Sequence, residues 1–200
     1  MGRTGGQPRS PRRASVTRKT RETDVTVTLA LDGSGRYDVK AGHRFLEHMI
    51  ESLARFASFD VTVRARGDQE HHIWEDVALT LGAALRKALG TGPVQRVGYA
   101  LLPMDEALLA VSVDLVDRPF ADVNLPDEMF VHFLRSFAME GKFTLHNVIL
   151  KGRNRHHILE ACFKALGLAL RQAVQPAKTL QSTKGLTTWS ARAPRKAKRS

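Results

Sequence analysis

Apolar residues follow two different spacings in the first half of the chain. Residues 24–31 and 60–66 alternate polar and apolar side chains with a period of two, which predicts half-buried strands. Residues 43–56 instead place their apolar side chains three and four positions apart, as one face of a helix requires. A second helical stretch, residues 75–89, ends at Gly90, a residue type that commonly terminates helices. This half is therefore predicted to run strand, helix, strand, helix.

The second half of the chain repeats this order. Strands are predicted at residues 94–102, 108–115, 120–125 and 143–150, and helices at residues 126–139 and 156–174. The segment HHIWEDVALTLGAALRKALG, which begins at His71, shares ten of twenty positions with HHILEACFKALGLALRQAVQ, which begins at His156. We therefore predict an α+β fold of two duplicated half-domains, each a mixed or antiparallel sheet with two helices on one face.

The duplication also defines the predicted domain organisation. Residues 17–92 form the first half-domain and residues 93–186 the second. The flanking residues 1–16 and 187–200 are rich in Gly, Pro, Ser and basic residues and lack apolar periodicity. Both flanks are therefore predicted to be disordered basic tails.

The formal net charge of +11 originates at the ends of the chain. Residues 1–20 hold six basic side chains and residues 185–200 hold five. Neither segment contains an acidic residue, since the first in the chain is Glu22 and the last is Glu160. Residues 21–184 therefore carry no net charge. A neutral body argues against a nucleic-acid-binding domain, so binding to polyanions is expected only weakly and through the tails.

Cysteine content and hydropathy restrict the cellular compartment. Cys162 is the sole cysteine, so no intrachain disulfide can form. No apolar run approaches the roughly 20 residues of a membrane-spanning helix. The basic amino-terminal segment lacks the apolar stretch of a secretion signal. We expect a cytoplasmic protein without a membrane segment.

Candidate chemistry is concentrated at the starts of the two duplicated helical segments. His71 and Glu75 are four residues apart and His72 and Glu75 are three apart, so each pair shares a helix face. The same spacing recurs at His156, His157 and Glu160. A single His-His-x-x-Glu segment is more often a helix cap or an ion pair. Two copies at duplicated positions predict metal binding.

The residue types at these positions restrict the kind of metal site. Imidazole and carboxylate ligands suit manganese, iron or zinc, whereas the missing thiolates argue against a structural zinc site. Adjacent histidines point roughly 100° apart on a helix. One His-His pair would therefore be able to serve two metal ions, even across a subunit boundary.

Long segments of the chain resemble imidazoleglycerol-phosphate dehydratase, in the order in which that family has them. The resemblance extends over residues 17–186. The matching segments are RKTRETDV (18–25), FLEHM (45–49), GD…HHIWEDVALTLG (67–82), RVGYALLPMDEAL (96–108), DRPF (117–120), FTLHNV (143–148), GRNRHHILEACFKALGLALRQAV (152–174) and STKG (182–185).

This resemblance implies a fold, a reaction and an assembly. The implied fold is the internally duplicated, ribosomal S5 domain 2-like α+β type, with a substrate loop at the end of the second half-domain. The implied reaction removes water from imidazoleglycerol phosphate to give imidazole acetol phosphate, a step of histidine biosynthesis. Two divalent metal ions per active site, manganese in the family, and a homo-oligomer of 24 subunits with sites at subunit interfaces are also implied.

The resemblance further implies roles for individual residues. The implied metal ligands are His48, His71, His72, Glu75, His146, His156, His157 and Glu160. The implied substrate contacts are Glu22, Arg96, Arg118, Lys164, Ser182 and Lys184. The acid/base group remains open among Glu22, Glu75 and Glu160.

Three residues near these sets receive a different interpretation. A shift of 84 positions makes His132 the repeat mate of His48. His132 nevertheless matches no ligand of the family, so we interpret it as a helix-surface or partly buried histidine. Asp105 and Glu106 also match the family, but a role in supporting a turn explains them equally well. We leave both outside the catalytic set.

Three departures from the family pattern concern substrate fit more than metal binding. Only two residues separate Gly67-Asp68 from His71, where the family usually has a longer link. Glu47 stands where the family usually has aspartate, and Phe56 replaces a histidine that the family uses against substrate. A paralogue acting on a related phosphorylated substrate is therefore an alternative. Two further alternatives are an RNA-binding domain of similar fold and a metal-dependent assembly without activity.

Overall fold

Two four-stranded sheets, each with two helices, make up the part of the chain that the computed structural model describes, residues 12–183. The first half contains β1 (Arg13–Lys19), β2 (Thr23–Ala30), β3 (Tyr37–Lys40), α1 (Arg44–Ala57), β4 (Asp60–Gly67) and α2 (Glu70–Leu89). The second half contains β5 (Val97–Met104), β6 (Ala107–Asp114), β7 (Phe120–Asp122), α3 (Glu128–Gly141), β8 (Thr144–Lys151) and α4 (Arg155–Ala173).

The two sheets have the same topology. Their strand orders are β1-β2-β4-β3 and β5-β6-β8-β7. In each sheet the first three strands pair antiparallel, and the last strand pairs parallel to its neighbour. This shared order of mixed sheets confirms the predicted α+β fold of two duplicated halves.

The observed elements differ from the predicted ones at three places in the first half. Strand β1 was not predicted: it begins at Arg13, which pairs with Ala30, so residues 13–16 belong to the sheet and not to the predicted tail. Strand β3 was not predicted, because only Val39 of its four residues is buried and no alternation develops. Helix α2 begins at Glu70 rather than at residue 75. This start was not predicted, because Gln69 precedes the helix without the side-chain cap that would mark it.

Helices of one half pack against helices of the other. Helix α2 crosses α3, and α4 crosses α1. The repeat mates Gly82 and Gly167 lie at these crossings: a Cβ at Gly82 would be 2.7 Å from the carbonyl oxygen of Phe137, and one at Gly167 would be 2.7 Å from that of Leu53. Backbones this close leave no room for a side chain. The crossings bring residues of opposite halves together at the starts of α2 and α4.

The outer faces of the two sheets differ in character. On the first sheet, outward positions are mostly hydroxyl and charged side chains, and Ser15 and Thr17 hydrogen-bond across to Thr28 and Thr26. On the second sheet six large apolar side chains are exposed: Val97, Tyr99, Leu101, Phe120, Val148 and Leu150. No helix among residues 12–183 is both long and apolar enough to cross a membrane. Exposed apolar side chains are thus concentrated on the second sheet, whereas Tyr37 is the large one that the strands of the first sheet expose among the described residues.

Candidate metal centres

The two His-His pairs lie in the first turns of α2 and α4. Asn154 caps α4, because its side-chain oxygen accepts the backbone N–H of His156 at 2.9 Å. The rings within each pair point in different directions: the centroids of His156 and His157 are 6.2 Å apart at 89°, and those of His71 and His72 are 6.3 Å apart at 77°. Each pair therefore divides into an inner and an outer histidine with different neighbours.

The inner histidine of α4 belongs to a group of three residues that we call the α1–α4 cluster: His48, His156 and Glu160. Glu160 Oε2 lies 3.0 Å from His156 Nε2 and 3.4 Å from His48 Nε2. The three ligand atoms all lie within 4.8 Å of one another, and Glu160 is buried. Two imidazoles and a carboxylate in this arrangement are suitable ligands for one divalent ion.

A lysine and an aromatic ring border the α1–α4 cluster. Lys164 Nζ donates to Glu160 Oε1 at 2.8 Å and lies 5.4 Å from the centre of the Phe56 ring. Burial alone would raise the pKa of Glu160, but Lys164 and His48 outweigh that effect and hold the pKa below its usual value. Glu160 is therefore an anion at neutral pH. Phe56, where the resemblance implies a histidine, faces the lysine instead.

The inner histidine of α2 belongs to the α2–α3 cluster: His71, Glu75 and His132. The rings of His71 and His132 stack at 5.0 Å and 16°, and His132 Nε2 lies 3.8 Å from Glu75 Oε2. That nitrogen is buried and has no hydrogen-bond partner among the described residues. The interpretation of His132 as partly buried is correct, but its place beside two predicted ligands was not expected. The only available signal was its repeat relation to His48.

Each outer histidine is held by a carboxylate. His72 Nδ1 lies 2.8 Å from Asp68 Oδ1, and His157 Nδ1 lies 2.6 Å from Glu106 Oε2. Each hydrogen bond raises the pKa of its histidine. The bond from His157, together with two backbone N–H donors, lowers the pKa of Glu106 to about 2. Glu106, for which the sequence left turn support and a family role equally open, is thus a partner of a predicted ligand.

His146 lies apart from both clusters. It is on the outward face of β8, 49% exposed, with Asp122 Oδ2 3.7 Å from its Nδ1 and the Phe120 ring 5.4 Å from its own. The eight predicted ligands, four from each half, therefore do not group by half. Among the described residues, His48, His156 and Glu160 meet in one cluster, and His71 and Glu75 meet His132 in the other. His72 forms a third group with Glu22 and Asp68, His157 is bonded to Glu106, and His146 stands apart on the apolar sheet face.

Most of the predicted phosphate contacts lie near the end of the described chain or near a cluster. Arg96 donates to both oxygens of Asp114, at 2.5 and 3.0 Å, and to the carbonyl oxygen of Gln181 at 2.5 Å. This places Arg96 beside Ser182. Lys164 borders the α1–α4 cluster, as described above. The exposed Arg118 precedes β7, and Lys184 lies outside the described residues.

Glu22 lies in the turn between β1 and β2. Its backbone carbonyl accepts the N–H of Asp68, which ties this turn to the loop before α2. Its Oε2 is 3.8 Å from His72 Nδ1, and its side chain is 57% exposed. The carboxylate therefore borders the outer histidine of α2 without being bonded tightly to it.

Comparison with known proteins identifies the family. Residues 41–170 match the family model described as imidazoleglycerol-phosphate dehydratase. The chain belongs to the imidazoleglycerol-phosphate dehydratase family. It is 44% identical to the enzyme of that name from Cereibacter sphaeroides, over 88% of this chain and 99% of that protein. It is 45% identical to the one from Desulforudis audaxviator, over 88% and 97%.

Solved structures of this family have the same fold. The enzyme from Pyrococcus furiosus, solved in complex with (S)-C348, superposes with a TM-score of 0.77 at 38% identity, covering 86% of this chain and all of that one. The enzyme from Staphylococcus aureus superposes with a TM-score of 0.75 at 26% identity, covering 82% and 99%. The resemblance stated from sequence is thereby confirmed: the chain is a hydro-lyase, a dehydratase of histidine biosynthesis.

Proposed function

We propose that this chain removes water from imidazoleglycerol phosphate, giving imidazole acetol phosphate, and that each active site uses two divalent metal ions, manganese by preference. The observation that carries the proposal is the duplicated triad: His48, His156 and Glu160 in one cluster, and the repeat mates His132, His71 and Glu75 in the other. The duplication has produced the same ligand chemistry twice.

The donor atoms in both clusters fit this metal. Imidazole nitrogens and carboxylate oxygens are ligands that manganese accepts. The buried Nε2 of His132 has no hydrogen-bond partner among residues 12–183, so its electron pair can be offered to a cation. The proposed ligands are the eight that the family resemblance implies, His48, His71, His72, Glu75, His146, His156, His157 and Glu160, to which the geometry adds His132 beside His71 and Glu75. When bound, the ions would act as Lewis acids on the imidazole ring of the substrate.

The phosphate of the substrate requires cationic and hydroxyl groups. The proposed phosphate and substrate contacts are Arg96, Arg118, Lys164, Ser182 and Lys184. Arg96 and the segment before Ser182 are already joined through the Gln181 carbonyl, so these two groups can approach one phosphate together. Lys164 lies at the α1–α4 cluster, where it can orient a substrate against the metal ligands.

We assign the proton transfer to Glu22. The hydrogen to be removed sits on a carbon that no carbonyl acidifies, so the imidazole ring must first expel the neighbouring hydroxyl. Glu22 then takes the proton of the adjacent carbon, and the resulting enol relaxes to the ketone. Proton and hydroxyl together are the water lost. Glu160 is less suited because it is buried and bonded to Lys164, and Glu75 is less suited because its side chain is less exposed than that of Glu22, 41% against 57%.

Complete sites are proposed to form between copies of the chain. His146 lies on the outer face of the second sheet and belongs to none of the groups of three possible ligands among the described residues, so we propose that another copy supplies further partners of a metal bound there. The same face exposes Tyr99, Leu101 and Val148, which are 70%, 61% and 54% exposed. Exposed apolar area of this kind is typical of protein interfaces. A homo-oligomer of 24 subunits with sites at subunit interfaces is part of this proposal.

One experiment tests the proposal with a matched control. Turnover of imidazoleglycerol phosphate and metal content are measured for the wild type, His72→Ala, Glu160→Gln and the control Glu128→Gln, whose exposed glutamate lies in the first turn of α3. We expect metal and turnover in the wild type and control, and loss of both in the two ligand variants. Full turnover of metal-free protein would refute the metal role. Metal binding with turnover of only a related phosphorylated imidazole would refute the substrate assignment.

A further inference from the structure

We infer that Glu106 is a positioning residue, which fixes the tautomer and orientation of His157 so that Nε2 of that ring is presented to a metal ion. The inference rests on the proposed function, because it requires His157 to be a metal ligand. It assigns a role to a residue that the sequence analysis left outside the catalytic set.

The contacts of Glu106 connect three parts of the chain. One carboxylate oxygen, Oε2, lies 2.6 Å from His157 Nδ1. The other, Oε1, accepts the backbone N–H groups of Arg153 and Asn154 at 3.2 and 2.8 Å. The β5–β6 turn is thereby joined to the loop that precedes α4 and to the first turn of that helix. Because both oxygens are engaged, the carboxylate has little freedom to turn away from the ring.

This geometry determines which ring nitrogen can bind a metal. An ionised carboxylate only accepts hydrogen bonds, so His157 Nδ1 must carry the hydrogen in the bond to Glu106. In the neutral ring, Nε2 then holds the free electron pair that a metal requires. Asp105 Oδ2 lies 3.3 Å from Nε2, and that side chain is 67% exposed. A second anionic oxygen therefore stands where a cation would approach.

In the first half of the chain, Nδ1 of the outer histidine is also held by a carboxylate, but at a different position of the repeat. Glu22 is the repeat mate of Glu106, and His72 is the repeat mate of His157. His72 Nδ1, however, is held by Asp68 at 2.8 Å, while Glu22 is 3.8 Å away. The position equivalent to Asp68 in the second half is Arg153, a cation that cannot accept this bond.

The duplicated carboxylates have thus taken different roles. In the second half, Glu106 is the acceptor available to the outer histidine. In the first half, Asp68 takes that task and leaves Glu22 available to a substrate. A carboxylate on Nδ1 of the outer histidine occurs in both halves although the residue that supplies it differs. This recurrence distinguishes a requirement of the histidine from an incidental turn contact.

A glutamine at position 106 separates the positioning role from a structural one. Its side-chain oxygen can still accept the N–H groups of Arg153 and Asn154, so the loop should keep its anchor. Its amide N–H₂, however, donates to His157 Nδ1, which forces the hydrogen of the neutral ring onto Nε2. That tautomer cannot bind a metal through Nε2. Alanine at the same position would remove both functions.

The experiment compares Mn²⁺ binding and folding in the full-length protein. Metal-free wild type, Glu106→Gln, Glu106→Ala and the control Glu128→Gln are titrated with Mn²⁺, and free ion is followed by electron paramagnetic resonance. We expect Glu106→Gln to weaken Mn²⁺ binding by about tenfold or more, with an unchanged melting temperature of the metal-free protein. Glu106→Ala should weaken Mn²⁺ binding and also lower the melting temperature. Glu128→Gln should match the wild type in both measurements. Binding by Glu106→Gln at wild-type affinity would overturn the inference.

A further variant separates this inference from the proposed function. His157→Gln removes the proposed ligand itself. If the wild type and His157→Gln bind Mn²⁺ equally, His157 is no ligand and the proposed site is wrong. If His157→Gln weakens binding but Glu106→Gln does not, the site stands and the positioning role of Glu106 is refuted.

Discussion

At the scale of single residues, the environment of each carboxylate separates chemical roles that the sequence left open. Glu160 is buried and bonded to Lys164, and Glu75 lies beside His132 in the second cluster. The side chain of Glu22 is exposed, and its carboxylate oxygen Oε2 lies 3.8 Å from His72 Nδ1, too far for a hydrogen bond. A group that must accept a proton from a substrate needs such freedom, so Glu22 is the residue whose loss should affect chemistry alone.

Replacing Glu22 by glutamine should therefore lower kcat by about a hundredfold or more, the usual contribution of a positioned acid/base group. Metal content should stay at the wild-type level, because Asp68 and not Glu22 holds His72. Steady-state kinetics and metal analysis of the same preparation measure both. Loss of metal together with activity would show that Glu22 supports the metal site instead.

A second residue-scale prediction concerns acid stability at Asp60, far from the clusters. The guanidinium and backbone N–H of Arg36 and the backbone N–H of Ser34 donate to this carboxylate, which holds the pKa of Asp60 well below its usual range. Because the pKa is lower in the folded state, the stabilisation is present above the unfolded pKa of about 3.9. It is lost as the pH falls below that value.

Asp60→Asn should accordingly lower the free energy of unfolding by about 1 kcal/mol at pH 7. The difference from the wild type should shrink as the pH falls below about 4. Denaturant unfolding of the metal-free wild type and variant, at pH 7 and at a pH below about 4, measures this difference. A difference independent of pH would mean that the ionised carboxylate is not its source.

At the scale of elements, hydrophobic spacing predicted the long helices and most strands because each buries one regular face. The short strand β3 escaped prediction, since a strand with one buried residue carries no period. The start of α2 was also missed, because Gln69 offers no capping hydrogen bond. The glycines at the helix crossings were visible as repeat mates, but only the packed helices show that two backbones meet there.

The crossings give a prediction with an internal control. Gly82→Ala and Gly167→Ala should each destabilise the fold by about 1–3 kcal/mol, because the new Cβ would lie 2.7 Å from backbone atoms of the opposing helix. This cost should exceed the gain of about 1 kcal/mol that alanine brings to a helix. Gly92→Ala, where a Cβ meets nothing within 4 Å, should leave the melting temperature nearly unchanged. Equal stability of all three variants would contradict the close crossing.

At the scale of the whole molecule, the sequence predicted the ligand residue types but not how they group. The repeat aligns His48 with His132 and His71 with His156, which suggests one ligand set per half. Packing of α1 on α4 and of α2 on α3 instead places His48 beside His156 and His132 beside His71. Pairing between halves is decided by tertiary contacts, which residue spacing within a half cannot reveal.

The apolar outer face of the second sheet gives a prediction about assembly. Leu101→Arg places a charge on that face, where Leu101 is 61% exposed, and should shift the protein toward smaller species in light scattering. Thr28→Arg makes the same addition on the polar outer face of the first sheet and should leave the mass unchanged. An unaltered mass for Leu101→Arg would exclude this face from the proposed subunit interface.

The account as a whole depends on paired metal ions acting in a dehydratase. The most direct measurement is a titration of metal-free protein with Mn²⁺ while turnover of imidazoleglycerol phosphate is followed. The account predicts no turnover without metal and activity that rises until two ions are bound per chain. Full turnover before any metal is added, or saturation of activity with a single ion per chain, would contradict it.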